Sequence, residues 1–360
     1  MSVRILDKWR FVDLDAIELP FLHAMEESIA KKKIKNTLLL WRVDKPYLTL
    51  GYFQNVYEEV DVEAAEELKI PIIRRLGGGG TGYLTPNVLA YSIIADEKSK
   101  SMPKNVEETY RVICNGVVLG LKELGIDATF APINDILIGG KKFSGSSQHR
   151  SYGMIIQHGF ITTEIDLPTL ALLIKAPKEK LQDKGVTKIE DRITWINKEI
   201  LKAGREPLSL DQIKKAIRTG FEKALKTPLP EEELAEEELE PTISDDRFEQ
   251  DTWNIHPRLF KRVNATYIHK AKKGVIRVNA YVAENRIMDV MITGDYMMHP
   301  VESIASLETM LRGVNTAEPS IRKVVNLFYQ KESVTTPGAT SEDFVTAIIK
   351  AIGSMSPPKQ

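Results

Sequence analysis

The sequence predicts an α+β fold whose main sheet is mixed or antiparallel, followed by a smaller α/β unit. Short apolar runs alternate with segments of helical spacing over roughly the first 230 residues, as expected of buried strands and packed helices. Several strands are expected in succession between residues 130 and 163, which is not typical of a doubly wound parallel sheet. The composition then changes at 231–240, where seven of ten residues are glutamate.

The elements of the main body follow from the spacing of its apolar residues. Residues 106–124 carry apolar side chains three or four apart and stop at Gly125, which is typical of a helix. The same spacing predicts a second helix over 211–225. Short apolar runs predict buried strands at 37–41, 47–50, 70–73 and 88–94.

The C-terminal part predicts a compact unit of its own. Two strands are expected at 274–282 and 286–292, joined by a turn at Glu284 and Asn285. Helices are expected near 301–312, 318–329 and 341–352. This combination favours a small α/β domain.

The acidic run at 231–240 predicts the division between these parts. Like charges at this density resist packing, so we expect a solvated helix or linker, with an acidic arm for a basic partner as the alternative. The expected organisation is a first domain over 1–245, a linker at about 228–256 and an accessory domain over 257–360.

Composition excludes several classes of protein. The 360 residues are 42% hydrophobic and 28% charged, which is ordinary for a globular protein. The net charge of -1 argues against a general nucleic-acid partner, and no apolar run reaches the roughly 18 residues of a membrane span. Because Cys114 is the only cysteine, we expect no internal disulfide, no cysteine-cluster metal site and a reducing cytoplasmic setting.

A glycine-rich loop follows the strand predicted at 70–73. Its sequence, Arg74 to Gly82, has five glycines in six positions after two arginines. Exposed N–H groups in such a loop can bind phosphate or carboxylate oxygens, and arginine adds fixed charge. Neither the P-loop nor the dinucleotide-binding spacing fits, because another strand follows. The alternative is a flexible hairpin loop.

A second polar segment runs from Asn134 to Gln148 and predicts a strand, a glycine turn and a return strand. Strict alternation would place Lys142 and Ser144 on one face. Asp135 is a candidate to hold Mg²⁺ or to pair with the lysine. The alternative is a surface hairpin with solvated lysines.

The third segment, His158-Gly159, lies on the next predicted strand. A ligand could approach closely beside the glycine, although a lone histidine is also consistent with a structural residue. Because neither HxH nor HExxH spacing occurs, a histidine-bound metal site is not expected. Cys114 lies beside the apolar stripe of the 106–124 helix and is interpreted as a small core residue.

Taken together and in order, these segments resemble the lipoate–protein ligase branch of the biotin/lipoate protein ligase family. The resembling motifs are Trp41-Arg42, Gly51 to Asn55, Arg74 to Thr81, Asn134-Asp135, Lys142 to Ser146, His158-Gly159, Lys184 to Thr187, Gly274 to Val278, Ile292 to Tyr296 and Leu307-Glu308.

The resemblance implies a catalytic domain like those of class II synthetases and biotin ligases, with an accessory domain. It also implies an ATP-dependent lipoate–protein ligase. Such an enzyme activates lipoate to lipoyl-AMP, with Mg²⁺, and transfers the lipoyl group to a lysine of an acceptor protein domain.

By resemblance, Lys142 is the catalytic residue and Asp135 the metal ligand. The implied ATP and adenylate contacts are Arg75, Gly78, Gly79, Gly80, Thr81, Gly82, Asn134, Asp135, Lys142, Ser144 and Lys184. The implied lipoate contacts are Arg75, Gly77, Gly78, Lys142, Gly145, His158 and Gly159. The tunnel for the apolar acyl chain is expected to be lined by Phe53, Ile94 or similar residues, which the sequence does not identify.

Three departures from the family pattern leave alternatives open. Gly77 replaces the usual serine of the loop, and Leu84-Thr85 replaces a histidine-aspartate pair. One alternative is an octanoyl or lipoyl transferase that uses a cysteine thioester, for which Cys114 is the one candidate. The other is a ligand-binding homologue without catalytic activity.

Overall fold

A computed structural model describes five stretches of the chain: residues 8–175, 192–243, 245–255, 262–331 and 334–355. These residues form two compact units. The first takes its described residues from 1–49, 60–73 and 82–250, and the second from 50–59, 74–81 and 251–360. The second unit therefore includes the glycine-rich loop as well as the C-terminal part. The expected division into one N-terminal and one C-terminal domain does not anticipate this arrangement.

Ten strands lie among the described residues of the first unit. They are β1 (Trp9–Ile17), β2 (Asn36–Val43), β3 (Tyr47–Leu50), β4 (Ile72–Arg74), β5 (Gly82–Leu84), β6 (Val88–Asp96), β7 (Ala128–Ala131), β8 (Asp135–Ile138), β9 (Lys141–Ser151) and β10 (Met154–Thr162), of which Leu50 and Arg74 are assigned to the second unit.

The helices up to residue 254 lie between and after these strands. They are α1 (Leu19–Lys32), α2 (Val56–Glu59), α3 (Val62–Glu67), α4 (Val106–Glu123), α5 (Leu167–Leu173), α6 (Ile196–Lys202), α7 (Leu210–Leu225), α8 (Glu236–Ile243) and α9 (Asp251–Asn254), with α2 and α9 in the second unit.

A seven-stranded mixed sheet organises the first unit, in the order β1-β2-β6-β10-β9-β8-β7. Strands β1 and β2 are parallel and joined through α1, whereas the remaining neighbours are antiparallel. A smaller sheet has the order β4-β3-β5. The predicted α+β class with a mixed sheet is confirmed.

One face of the large sheet is covered by α4 and α7, the two helices predicted from apolar spacing. Their apolar stripes enter one core with the sheet. The helices approach closely at glycines: a Cβ built on Gly220 would lie 2.2 Å from the carbonyl oxygen of Gly116 and 2.2 Å from the nitrogen of Gly120. Glycine is therefore required at this crossing, because no side chain fits between the two backbones.

The opposite face is covered by α1 and by the acidic run. This run was expected to be solvated, but part of it is buried. Glu238 is fully buried and pairs with Arg10, whose Nη1 donates to Oε2 at 2.9 Å. The backbone of Glu232 donates to Phe11 O at 2.9 Å, so the segment also extends the edge at β1. A buried charge is tolerated here because its partner is a buried guanidinium.

The second unit is built on the strands β11 (Ala265–Lys270), β12 (Val275–Ala283) and β13 (Arg286–Gly294) and the helices α10 (Ser303–Leu311), α11 (Glu318–Lys331) and α12 (Ser341–Gly353). The strands form one antiparallel sheet. The predicted turn is present, since Glu284 and Asn285 have φ values of 50° and 55°. Strand β11 was not predicted. None of the helices described in either unit has the length and apolar character needed to cross a bilayer.

Replacing Gly220 with alanine should destabilise the first unit. The new methyl group would meet backbone atoms of α4, so the helices must separate, which is expected to cost about 1–3 kcal/mol or more. The measurement is the free energy of unfolding from denaturant titration. Gly353→Ala is the control, because a Cβ there meets no atom within 4 Å. Equal stability of the two variants would contradict this account of the helix crossing.

Candidate active site

The centre of the candidate site is an ion pair on the β8–β9 hairpin. Gly139 and Gly140 form its turn with φ values of 55° and 76°. Lys142 Nζ lies 2.8 Å from Asp135 Oδ1, and the two side chains are 49% and 17% exposed. The carboxylate thus holds an ammonium group that remains open to an incoming molecule.

An irregularity in β9 sets the direction of the Lys142 side chain. Leu137 pairs with Lys142, but Ile136 pairs with Ser144, so one extra residue, Phe143, is inserted. A Cβ built on Gly145 would lie 3.0 Å from Lys142 Nζ. The ammonium therefore lies over Gly145, and the strict alternation expected to align Lys142 with Ser144 is interrupted at the bulge.

The hairpin is held in place by Asn134 and by the segment after residue 191. Asn134 Nδ2 donates to Ser146 O at 2.6 Å, and Ser146 N donates to Asn134 O at 2.9 Å. Lys142 N donates to Arg192 O at 2.8 Å, and Thr194 N donates to Lys142 O at 2.9 Å. The main chain of Lys142 is thus fixed on both sides while its side chain stays accessible.

His158 lies on β10 among buried polar groups that the sequence did not reveal. Its Nδ1 is 3.7 Å from Glu26 Oε1, and Glu26 Oε2 is 3.0 Å from His23 Nδ1. Ser92 donates to the same carboxylate. Burial acts to raise the pKa of Glu26, but the interactions with His158 and His23 outweigh it and hold the pKa below its usual range. The carboxyl group is therefore ionised.

The His23 and Glu26 contacts could have been suspected from their spacing. Positions three apart on a helix face the same side, and both residues lie on α1. The third member, His158, comes from a strand more than a hundred residues later, so only the fold brings it to them.

Gly159 faces the other side of the sheet. A Cβ there would lie 2.6 Å from Tyr91 Oη, which is buried under the α4 face. Adjacent residues of a strand point to opposite faces, so Gly159 and His158 do not share one. The lack of a side chain at Gly159 leaves the space that the Tyr91 ring occupies.

Cys114 also lies on the α4 side of the sheet. The side chain is fully buried, and its Sγ is 3.4 Å from Ser146 Oγ. Burial raises the pKa of the thiol to about 11. The thiol is therefore protonated near neutral pH and has no access to solvent, as expected of the predicted core residue.

The glycine-rich loop is a closed turn within the second unit. Arg75 Nη2 donates to Gly78 O at 2.7 Å and to Gly80 O at 2.8 Å. Gly79 has φ 88° and donates from its N to Tyr296 O at 3.1 Å. The buried guanidinium of Arg75 thus holds the loop from inside.

Arg74 is likewise turned toward carbonyl groups of its own unit, including Gly51 O at 3.0 Å and Asn254 O at 3.0 Å. The nucleotide contacts implied for the loop stay a prediction.

Other predicted residues have more scattered positions. Gly82 begins β5, and Lys184 lies outside the described residues. Phe53 stacks on Tyr296 with ring centroids 4.5 Å apart in the core of the second unit, and Ile94 is in the core of the first. Each side chain therefore contributes to a packed core, and the lining of the acyl tunnel stays a prediction.

Family models match both parts of the chain. The lipoyl protein ligase A/B catalytic domain model matches residues 20–222, and the bacterial lipoate protein ligase C-terminus model matches residues 262–348. The chain belongs to the lipoyl protein ligase A/B catalytic-domain family. The resemblance predicted from the motifs is confirmed.

Individual relatives refine this result. The chain is 31% identical to "Octanoyltransferase LipM" of Halalkalibacterium halodurans over 279 residues, covering 69% of this chain and 99% of the relative. Among solved structures, the bi-partite lipoate protein ligase of Thermoplasma acidophilum, described with its E2 lipoyl domain, is 25% identical with a TM-score of 0.61, covering 71% of this chain and 99% of that one. Lipoate-protein ligase A bound with ATP has the same fold, at 23% identity and a TM-score of 0.58, covering 69% and 98%.

These relatives correct the activity expected from the sequence. The reading as an ATP-dependent, AMP-forming ligase is wrong, because the curated relatives at about 31% identity are octanoyltransferases. The motifs indicated the family, which one model describes for lipoyl protein ligases A and B, and did not distinguish the reaction. The chain belongs to a family of enzymes that act in protein lipoylation. Its octanoyltransferase relatives do not support a requirement for ATP or Mg²⁺.

No metal cluster forms around Asp135 in the part of the chain that the structure describes. The one group of three or more His, Cys, Asp or Glu residues with mutually close ligand atoms there is His23, Glu26 and His158. Asp135 pairs with Lys142, and its assignment as a metal ligand stays a prediction.

Two glycine substitutions should separate site geometry from packing. In Gly145→Ala the new Cβ meets closely only the flexible end of Lys142, with Asp135 Oδ1 at an ordinary 3.6 Å, so the unfolding free energy should change by about 0.5 kcal/mol or less. Gly159→Ala meets the buried Tyr91 ring and should cost about 1–3 kcal/mol. Denaturant titration of both variants checks this, and a reversed order would contradict the described packing.

Proposed function

We propose that this protein transfers an octanoyl group from a thioester donor to the ε-amine of a lysine on a lipoyl-acceptor domain, without ATP. The observation that carries the proposal is the 31% identity to an octanoyltransferase over 99% of that relative's length. The acceptor is proposed from the Thermoplasma acidophilum ligase, whose structure is described with its E2 lipoyl domain.

The reaction does not require adenylation. A thioester is already an activated acyl donor, whereas a free carboxylate is not. The neutral amine attacks the carbonyl carbon, the C–N bond forms, the C–S bond breaks, and the departing thiolate takes up a proton from the attacking amine. The products are an amide and a thiol, and no other co-reactant is needed.

Lys142 is the proposed catalytic residue. The developing negative charge lies on the carbonyl oxygen, and a preoriented cation lowers its energy in the transition state. The ammonium group suits this role because Asp135 positions it at 2.8 Å and its side chain is 49% exposed. Gly145 leaves the space beneath it. Gly145 and His158 remain proposed neighbours of the acyl group.

The proposed transfer is direct rather than through an acyl-cysteine. A nucleophilic thiol has to be accessible and partly ionised near neutral pH. Cys114 is fully buried, and its pKa is raised to about 11. Attack by the acceptor lysine on the donor thioester fits this arrangement better than a covalent step at Cys114.

The assay combines the full chain, a lipoyl-acceptor domain and an octanoyl thioester, either octanoyl-coenzyme A or an octanoyl-acyl carrier protein, without ATP. Mass spectrometry should show one octanoyl group on the acceptor lysine. Lys142→Ala should lower the rate about 10²- to 10³-fold, since a charge that stabilises the transition state is lost. Gly145→Ala should also slow transfer, because its methyl group displaces the ammonium.

Lys141→Ala is the matched control, since it removes a neighbouring lysine of the same strand, and it should retain near-normal rates. Transfer that requires ATP and a free acid would overturn the proposal. Absence of transfer from both donors would favour a ligand-binding homologue instead.

A further inference from the structure

We propose that His23, Glu26 and His158 form a buried site for one zinc ion. The three residues are 2%, 2% and 6% exposed, respectively. One potential ligand atom from each lies within 4.8 Å of the others. Two imidazoles and a carboxylate are a ligand set that zinc uses in proteins. The zinc proposal does not rest on the proposed acyl transfer, and His158 is the one residue that the two proposals share.

The spacing of the ligand atoms is suitable for a metal. Tetrahedral zinc with bonds of about 2.0–2.1 Å places neighbouring ligand atoms about 3.4 Å apart. His23 Nδ1 lies 3.0 Å from Glu26 Oε2 and His158 Nδ1 lies 3.7 Å from Glu26 Oε1, so the two imidazoles approach different oxygens of one carboxylate at distances on either side of that value. Small side-chain adjustments would therefore bring all three onto one ion.

The charge of the cluster also favours a cation. Glu26 is a buried carboxylate, and in the described part of the chain its polar contacts are two imidazoles and the Ser92 hydroxyl, with no lysine or arginine. A divalent ion would bind this carboxylate together with two neutral imidazoles, which is the form of histidine that binds metal.

Hydrogen bonding alone leaves the cluster incomplete. His23 Nε2 is buried and has no hydrogen-bond partner among the described residues. Around the carboxylate, by contrast, there is an ordered outer layer: Ser92 donates to Glu26, and Trp41 Nε1 donates to Ser92 Oγ at 2.9 Å. Such outer contacts orient the ligands of metal sites.

Helix α1 explains why the site is preformed. His23 and Glu26 are three positions apart and project from the same helical face onto β10, which supplies His158. Zinc at this position would join α1 to the central strands, so it would stabilise the first unit.

The test measures zinc bound to the full-length protein after metal removal and reloading with one equivalent of zinc. Elemental analysis should give one zinc per chain, and competition with a chromophoric chelator gives the affinity. Glu26→Gln and His158→Asn should each weaken binding by at least about 100-fold, because direct ligands matter more than outer contacts. His269→Asn is the control, since His269 pairs with Asp343 at 2.8 Å in the second unit. Its zinc content should not change.

A second measurement uses the unaltered protein, so its result does not depend on whether the variants fold. Cobalt loaded into the unaltered protein should give the visible absorption of a tetrahedral site, and zinc should displace it. The proposal would be overturned if the unaltered protein failed to hold stoichiometric zinc, or if both ligand variants kept the affinity of the unaltered protein. The three residues would then form a buried hydrogen-bond network without a metal.

Discussion

The geometry of the candidate site depends on the extra residue that β9 carries opposite β8. Without the bulge at Phe143, Lys142 would follow the regular alternation of the strand, and its ammonium would not lie over Gly145. With it, Asp135 can hold the ammonium while the main chain of Lys142 is fixed by residues 192–194. A flexible side chain thereby becomes an oriented charge.

The two faces of the large sheet have different chemistry. On the α4 face, glycines lie where α4 and α7 cross, because no side chain fits between the two backbones. The same face buries Cys114. The α1 face carries the polar groups around His158, which pairs in the ladder with Ser147, two residues beyond Gly145. Lys142 and His158 therefore belong to one face, away from the thiol. This separation is the structural argument for transfer without an acyl-cysteine.

Local pattern was sufficient to predict the α+β class, the α4 and α7 helices and the glycine turn of the hairpin, because periodicity and glycine chemistry act over a few residues. It could not predict the bulge, which depends on pairing with β8. It also missed the contact of Glu26 with His158, since those residues meet only through the fold. The expected reaction was wrong for a different reason: the motifs indicated a family that one model describes for lipoyl protein ligases A and B, and they did not distinguish adenylation from acyl transfer.

The most direct test of the central claim is rapid-quench mass spectrometry of the enzyme mixed with an octanoyl thioester before any acceptor is present. Direct transfer stabilised by Lys142 predicts an unmodified enzyme mass at every time point, with octanoyl appearing on the acceptor only after it is added. An octanoyl adduct on Cys114 that forms first and disappears when the acceptor is added would contradict it.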